Sequence, residues 1–211
     1  MMHMESAPLG WIETNAYLLQ ADGETILIDA PDGALEWIET VLGPDQLPSS
    51  LWLTHGHWDH MADAWRFAER GVPVYAHEGD RILLEQPELQ LTFAPPGLEV
   101  KPVTVSRWLL PGETLKCGAA EAEILHVPGH APGNVAFYLA SEAVALVGDV
   151  IFRGGVGRTD LPGGDAGILE RSIREQIYTL PPQTRLLSGH GPETTVEWEM
   201  NHNPFVRPTG R

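Results

Sequence analysis

The sequence predicts an α/β protein built from two mixed β-sheets with helices covering their outer sides. Three observations lead there. Apolar runs of strand length alternate with amphipathic stretches of helix length along the whole of the 211 residues. Strands dominate the interior of each half and helices punctuate them, an order that two helix-covered mixed sheets satisfy. The 22 glycines and 18 prolines cut the chain into many short elements joined by turns. The length suits one domain spanning residues 1–211 and can bury a substantial core without staples.

The elements follow in order. Thr14 to Leu19 and Thr25 to Asp29 read as strands joined by the turn Ala21-Asp22-Gly23-Glu24. Ala34 to Leu42 reads as a helix, with Leu35, Ile38, Val41 and Leu42 on one face and Gly43-Pro44 as its stop. The strand Leu51 to Thr54 precedes a helix over 61–70, rich in helix formers and ended by Gly71. A strand Val72 to Ala76 and a short helix Gly79 to Glu85 come next. Four prolines between 86 and 102 make that stretch a loop. The second half offers strands at Val103 to Trp108, Ala122 to Val127, Val135 to Leu139 and Val144 to Val147. A helix from Gly167 to Tyr178, a strand from Thr184 to Ser188 and a helix from Thr195 to Asn201 finish the chain.

The most informative segment is Thr54-His55-Gly56-His57-Trp58-Asp59-His60. Imidazole and carboxylate are ligands that zinc, iron and manganese accept. His55 and His57, two apart in an extended loop, project to the same side. Asp59 and His60 sit where the chain turns into a helix and aim elsewhere, so one segment can feed two neighbouring ions. Three further strands end in glycine-bearing turns that carry a ligand: His130 after Val127-Pro128-Gly129, Asp149 after Gly148, and His190 after Gly189. Alone, each is a weak signal. Together with the cluster they make seven ligands, enough for two adjacent ions if one carboxylate bridges. His3, His77, His126 and His202 have no such setting, His126 being the nearest to an exception.

Composition narrows the function classes. A formal charge of −16, with only Lys101 and Lys116 as lysines, disfavours nucleic acid as a partner. No apolar stretch approaches the about 20 residues of a membrane helix. The lone Cys117 excludes an intrachain disulfide, and the start lacks the basic and apolar regions of a secretory signal. A cytoplasmic protein is expected.

The segment 54–60, with His130, Asp149 and His190 at their spacings, resembles the metallo-β-lactamase superfamily. Val127 to Asn134, Gly154 to Asp165 and Ser188 to Thr195 are similar to the short, glyoxalase II-like (hydroxyacylglutathione hydrolase-like) branch. The resemblance runs from Asn15-Ala16-Tyr17 to Asn203-Pro204-Phe205. It implies a four-layer αββα sandwich with the metals at one edge between the sheets. It also implies that His55, His57 and His130 hold a first ion, that Asp59, His60 and His190 hold a second, and that Asp149 bridges. A glutamate in place of His57 would suggest the flavin-linked di-iron relatives. Full-length glyoxalase II carries a further helical region that grips glutathione. Here Arg211 comes soon after His190, so that grip is missing or rebuilt, with Arg153 and Arg158 as anion contacts. An ion pair of Arg158 with Asp160 is the preferred reading.

The expected chemistry is hydrolysis of a small-molecule thioester, an acyl-glutathione such as S-lactoylglutathione. Two divalent ions about 3.5–4 Å apart, zinc first with iron or manganese as alternatives, lower the pKa of a bridging water. The resulting hydroxide attacks the carbonyl, with Asp59 as its catalytic orienting group. A thiolate leaves without a strong general acid, which suits the absence of an obvious one. Three alternatives stand beside this: a mononuclear-iron persulfide dioxygenase using His55, His130 and Asp149, a hydrolase of another small ester or lactone, and a non-catalytic metal-binding module. The acyl group, the thiol carrier and the oligomeric state stay open.

Overall fold

The computed structural model describes residues 2–208. Strands β1 (His3–Leu9), β2 (Thr14–Ala21) and β3 (Glu24–Ile28) form an antiparallel meander. Helix α1 (Ala34–Leu42) then crosses to β4 (Ser50–Trp52). Helices α2 (Trp58–Met61) and α3 (Ala64–Glu69) lead to β5 (Val74–His77), and α4 (Arg81–Glu85) with a long loop leads to β6 (Arg107–Leu109). These six strands make one sheet in sequence order, its last three pairings parallel.

The second half runs β7 (Thr114–Cys117), β8 (Ala120–His126), β9 (Val135–Leu139) and β10 (Val144–Gly148). A small hairpin of β11 (Ile151–Phe152) and β12 (Gly155–Val156) follows. Helix α5 (Ala166–Ser172), β13 (Arg185–Ser188), β14 (Thr194–Thr195) and α6 (Val196–His202) complete it. The second sheet is ordered β14-β13-β10-β9-β8-β7 and is antiparallel except where β10 runs beside β13.

Alternation along the strands sorts their side chains into three apolar layers. Leu18, Leu27, Leu51 and Val74 face outward onto Leu35, Ile38, Met61 and Phe67 of the first set of helices. Their neighbours Leu19, Ile26, Ile28 and Trp52 face inward onto Ile124, Phe137, Leu139 and Leu146 of the second sheet. Ala136, Ala145, Val147 and Leu186 face Leu169, Ile173, Ile177 and Val196 on the far side. Three apolar layers separate four structural ones, so the fold is the four-layer αββα sandwich that the resemblance implies. Between the sheets the rings of Trp52 and Phe137 lie 5.3 Å apart and tilted, a favourable aromatic contact.

Helix α1 and strand β9 have the bounds their patterns predict. Strand β1 has no counterpart in the sequence reading. It is an edge strand that carries Pro8 and buries little, and its ladder to β2 is what makes it a strand. Strand β7 was also unread, although its side chains alternate exposed and buried over four residues. The expected helix 61–70 is two short helices, the first starting at Trp58. The helix expected through Tyr178 widens into a π-helical turn over Ile173–Ile177, where the Tyr178 N–H donates to the Ile173 carbonyl five residues back. Among the described residues no helix is long and apolar enough to cross a membrane.

Candidate metal centre

The seven predicted side chains meet at one edge of the sandwich, where β4, β8, β10 and β13 end. The loop after β4 carries His55 and His57, and α2 carries Asp59 and His60. The β8–β9 turn delivers His130. Because β10 and β13 are parallel neighbours with Gly148 paired to Ser188, their exits place Asp149 and His190 side by side. Strand β2 stitches this edge together: the Asn15 N–H donates to the Gly189 carbonyl at 2.7 Å and the Tyr17 hydroxyl to the Ser188 carbonyl at 2.7 Å.

Two ligand groups result, His55-His57-His130 and Asp59-His60-Asp149-His190. In the first, His130 Nε2 lies 2.8 Å from His57 Nδ1 and 3.2 Å from His55 Nε2. In the second, Asp59 Oδ2 is 3.3 Å from His60 Nε2 and 3.2 Å from His190 Nε2. Asp149 spans the two: Oδ1 lies 3.3 Å from His60 Nε2, and Oδ2 lies 3.5 Å from His190 Nε2 and 3.6 Å from His130 Nε2. His60 Nε2 and Asp149 Oδ1 come close without hydrogen-bonding geometry, and both are buried with no partner in the chain. Orphaned polar atoms of this kind are costly, and ring nitrogens that face one another need a shared cation or proton. Nitrogen and oxygen donors in this number fit divalent zinc, iron or manganese.

The two groups differ in protonation. Burial pushes His55 well below the usual imidazole range, with His60, His57 and His130 adding to it. Burial, then His130, brings His57 to about 3, and burial lowers His130 against the pull of Asp149. These three are neutral donors. Burial opposes charge on His60 and His190 too, but carboxylates overcome it: His60 rises well above its ordinary value beside Asp59, Asp149 and Asp29, and His190 rises to about 9 beside Asp149 and Asp59. Burial works against ionisation of Asp59 and Asp149, and His60 with His190 holds both well below the carboxylate range. His60 and His190 must therefore release protons before their Nε2 atoms can ligate.

Behind the ligands stand residues that sequence reasoning missed. Asp29 accepts from His60 Nδ1 at 2.7 Å and from the Thr54 N–H and hydroxyl, both at 2.7 Å. It holds a left-handed φ of 59°, an uncommon conformation for a non-glycine residue. The available signal was an apolar strand ending in an aspartate, the design seen at Asp149. Replacing Asp29 with alanine frees the His60 ring and is expected to lower metal affinity about 10- to 100-fold. Competition with a chromophoric chelator would measure it, and unchanged affinity would remove Asp29 from this role. Asp80, pushed up to about 6 by burial, accepts from the Gly56 N–H at 2.8 Å and the Gly133 N–H at 2.7 Å, tying the two ligand loops together. In sequence it looks like an ordinary helix-start residue. Gln90 accepts from the Trp58 N–H at 3.0 Å and donates to the Gly56 carbonyl at 2.9 Å, so the proline-rich stretch is anchored against the ligand loop.

The remaining candidates lie elsewhere. Arg158 forms the expected pair with Asp160, two contacts of 2.7 Å. Arg153 packs over the Trp198 ring rather than in the cavity. His126 stays out of the cavity, stacking on His77 at 4.1 Å and donating to the Pro132 carbonyl at 2.9 Å. Over the two ligand groups opens a cavity of about 820 Å³ whose wall includes His57, Asp59, His130, Asp149 and His190.

Residues 9–190 match the family model for the metallo-beta-lactamase superfamily. The chain is 37% identical over 207 residues to the probable metallo-hydrolase YqgX of Bacillus subtilis, covering 97% of this chain and 98% of that one. It is 36% identical over 210 residues to hydroxyacylglutathione hydrolase GloC of Haemophilus influenzae, again covering 97% and 98%. Among solved structures, the BLEG-1 B3 metallo-beta-lactamase superimposes with a TM-score of 0.85 at 38% identity, over 99% of this chain and 100% of that chain. TTHA1623 in a di-iron-bound form does so with a TM-score of 0.85 at 37% identity, over 96% and 100%.

Proposed function

The chain belongs to the metallo-beta-lactamase superfamily and is a metallo-hydrolase; from that premise we propose that it is a binuclear hydrolase of thioesters. His55, His57 and His130 would hold one ion, Asp59, His60 and His190 the other, and Asp149 lies within reach of both groups. The placement of the Asp149 carboxylate, one oxygen toward His60 and the other toward His130 and His190, carries this reading. Two divalent ions, zinc by preference, with iron supported by the di-iron form of TTHA1623, supply an activated water and a Lewis acid for a carbonyl. The Thr14 hydroxyl donates to Asp59 Oδ2 at 3.1 Å and fixes the carboxylate that orients the attacking water.

The cavity wall argues for the leaving group. Apart from the candidate ligands, its lining side chains with polar atoms are Trp58, Gln90 and Arg158, none of them an acid, and Gln90 is engaged with backbone. With no free acid beside the scissile bond, the departing group leaves as an anion. A thiolate does so readily and an amine does not. The relative named hydroxyacylglutathione hydrolase supports an acyl-thiol such as an acyl-glutathione. The single, buried Cys117 suits a reducing, cytoplasmic setting.

Full-length protein loaded separately with zinc, iron and manganese, with metal content measured alongside thioester cleavage, tests this. Two ions per chain with thioester turnover are expected. One iron per chain with oxygen uptake on glutathione persulfide would favour the dioxygenase alternative, which gives Asp59, His60 and His190 no ligand role.

A further inference from the structure

Large apolar side chains gather around the mouth of the cavity. Ile12, Ile82, Leu89 and Phe93 are 49%, 54%, 53% and 52% exposed and all line the cavity. Single exposed apolar residues need no explanation, but a contiguous set at the rim of a site does. Phe152 and Leu161 add to the apolar lining. The Phe152 ring lies 6.0 Å from that of His190, so the apolar surface begins at the ligands themselves. The segment bearing Leu89 and Phe93 is held in place through Gln90, whose amide reaches the Gly56 carbonyl and the Trp58 N–H. That wall is preorganised rather than loose.

Charge offers a polar substrate little. Arg158 is the one guanidinium on the wall among the described residues, and its Nε and Nη2 already donate to Asp160. The carboxylates of a peptide thiol such as glutathione meet only this guanidinium, already paired with Asp160, on the described wall, and the net charge of −16 repels them. We infer, on the footing that the chain is a thioester hydrolase, that its substrate carries an apolar acyl group, a medium-length alkyl or an aryl chain. This group lies along the apolar lining of Ile12, Ile82, Leu89 and Phe93, and the acyl chain rather than the thiol carrier supplies the grip. The reaction is balanced as hydrolysis: water oxygen joins the acyl carbon, the carbon–sulfur bond breaks, and carboxylate, thiol and the displaced proton are the products.

The test uses zinc-loaded full-length protein and acetyl, butanoyl, hexanoyl and octanoyl thioesters of N-acetylcysteamine, with S-lactoylglutathione alongside. Full burial of a methylene corresponds to about 4-fold in kcat/KM. On a half-open wall, a rise of about 2- to 4-fold per methylene is expected. The double variant Leu89→Ala/Phe93→Ala is expected to lower the octanoyl-to-acetyl ratio about 10-fold. Both side chains are half exposed, so their removal leaves the core intact. A readout without turnover is calorimetry with octyl and ethyl thioethers of N-acetylcysteamine. The octyl compound should show the more negative heat-capacity change, and the double variant should lose the difference.

A flat chain-length profile, or S-lactoylglutathione exceeding the octanoyl thioester, overturns this inference and leaves the thioesterase reading standing. A dimer that Phe93→Asp splits, with the profile still flat, overturns it and gives the apolar wall to a second copy. No turnover of any thioester by the loaded protein overturns both.

Discussion

Replacing Asp149 with alanine is expected to lower kcat/KM at least about 1000-fold, or about 4 kcal/mol of transition-state stabilisation. Bound metal should fall from two ions per chain to one or none. The carboxylate lies within reach of both ligand groups, so its loss weakens each of them rather than one. It also removes negative charge that holds His60 and His190 in their protonated, metal-free state. His60 keeps Asp59 and Asp29 beside it and His190 keeps Asp59, so both rings lose part of the charge that favours their protonated forms, and the metal-free chain is expected to lose stability. Asp149→Asn keeps the shape and removes the charge. If it folds with unchanged circular dichroism yet loses metal, the carboxylate acts through charge. Full turnover by either variant would end the binuclear reading.

Gly189→Ala is expected to cost at least about 100-fold in kcat/KM while the fold persists. A Cβ at this position would overlap Asp149 Oδ1 and the His60 ring. Neither neighbour can yield cheaply. His60 is fully buried and pinned by Asp29 at 2.7 Å, and Asp149 is fixed between the two groups. Overpacking of this kind typically costs about 1–3 kcal/mol of stability, modest beside the effect on chemistry. A ligand displaced by about 1 Å is enough to lose the productive geometry. Metal stoichiometry, activity and thermal unfolding measured together would decide it. Wild-type activity in Gly189→Ala would show that the site tolerates movement, and the proximity argument would fail.

Much of the centre was legible because its ligands share one local design, a strand running into a glycine-bearing turn with a histidine or aspartate. His55, His57, His130, Asp149 and His190 sit in such turns, Asp59 and His60 in the helix start that follows the first of them, and the structure brings all seven to one edge. Asp29 obeys the same design and was passed over, because nothing nearby in sequence marks it as the partner of a histidine thirty-one positions on. Asp80 and Gln90 were invisible for a related reason. Their partners are the backbone N–H and carbonyl groups of Gly56, Trp58 and Gly133, and backbone leaves no trace in side-chain pattern. The proline-rich stretch 86–102 is a loop apart from a 3-10 turn at Pro87–Gln90, and Gln90 anchors it against the ligand loop.

Local pattern was sufficient for the strands and helices whose faces are buried, because alternation and helical periodicity are written residue by residue. The choice of candidate ligands likewise rested on residue type at the strand ends and the helix start. Pattern could not supply the edge strand β1, which exists only through its ladder to β2. Nor could it supply the protonation of the two histidine groups or the apolar mouth of the cavity. Those depend on which distant side chains come within a few ångströms, and parallel pairing of β10 with β13 and the stacking of the two sheets set those distances.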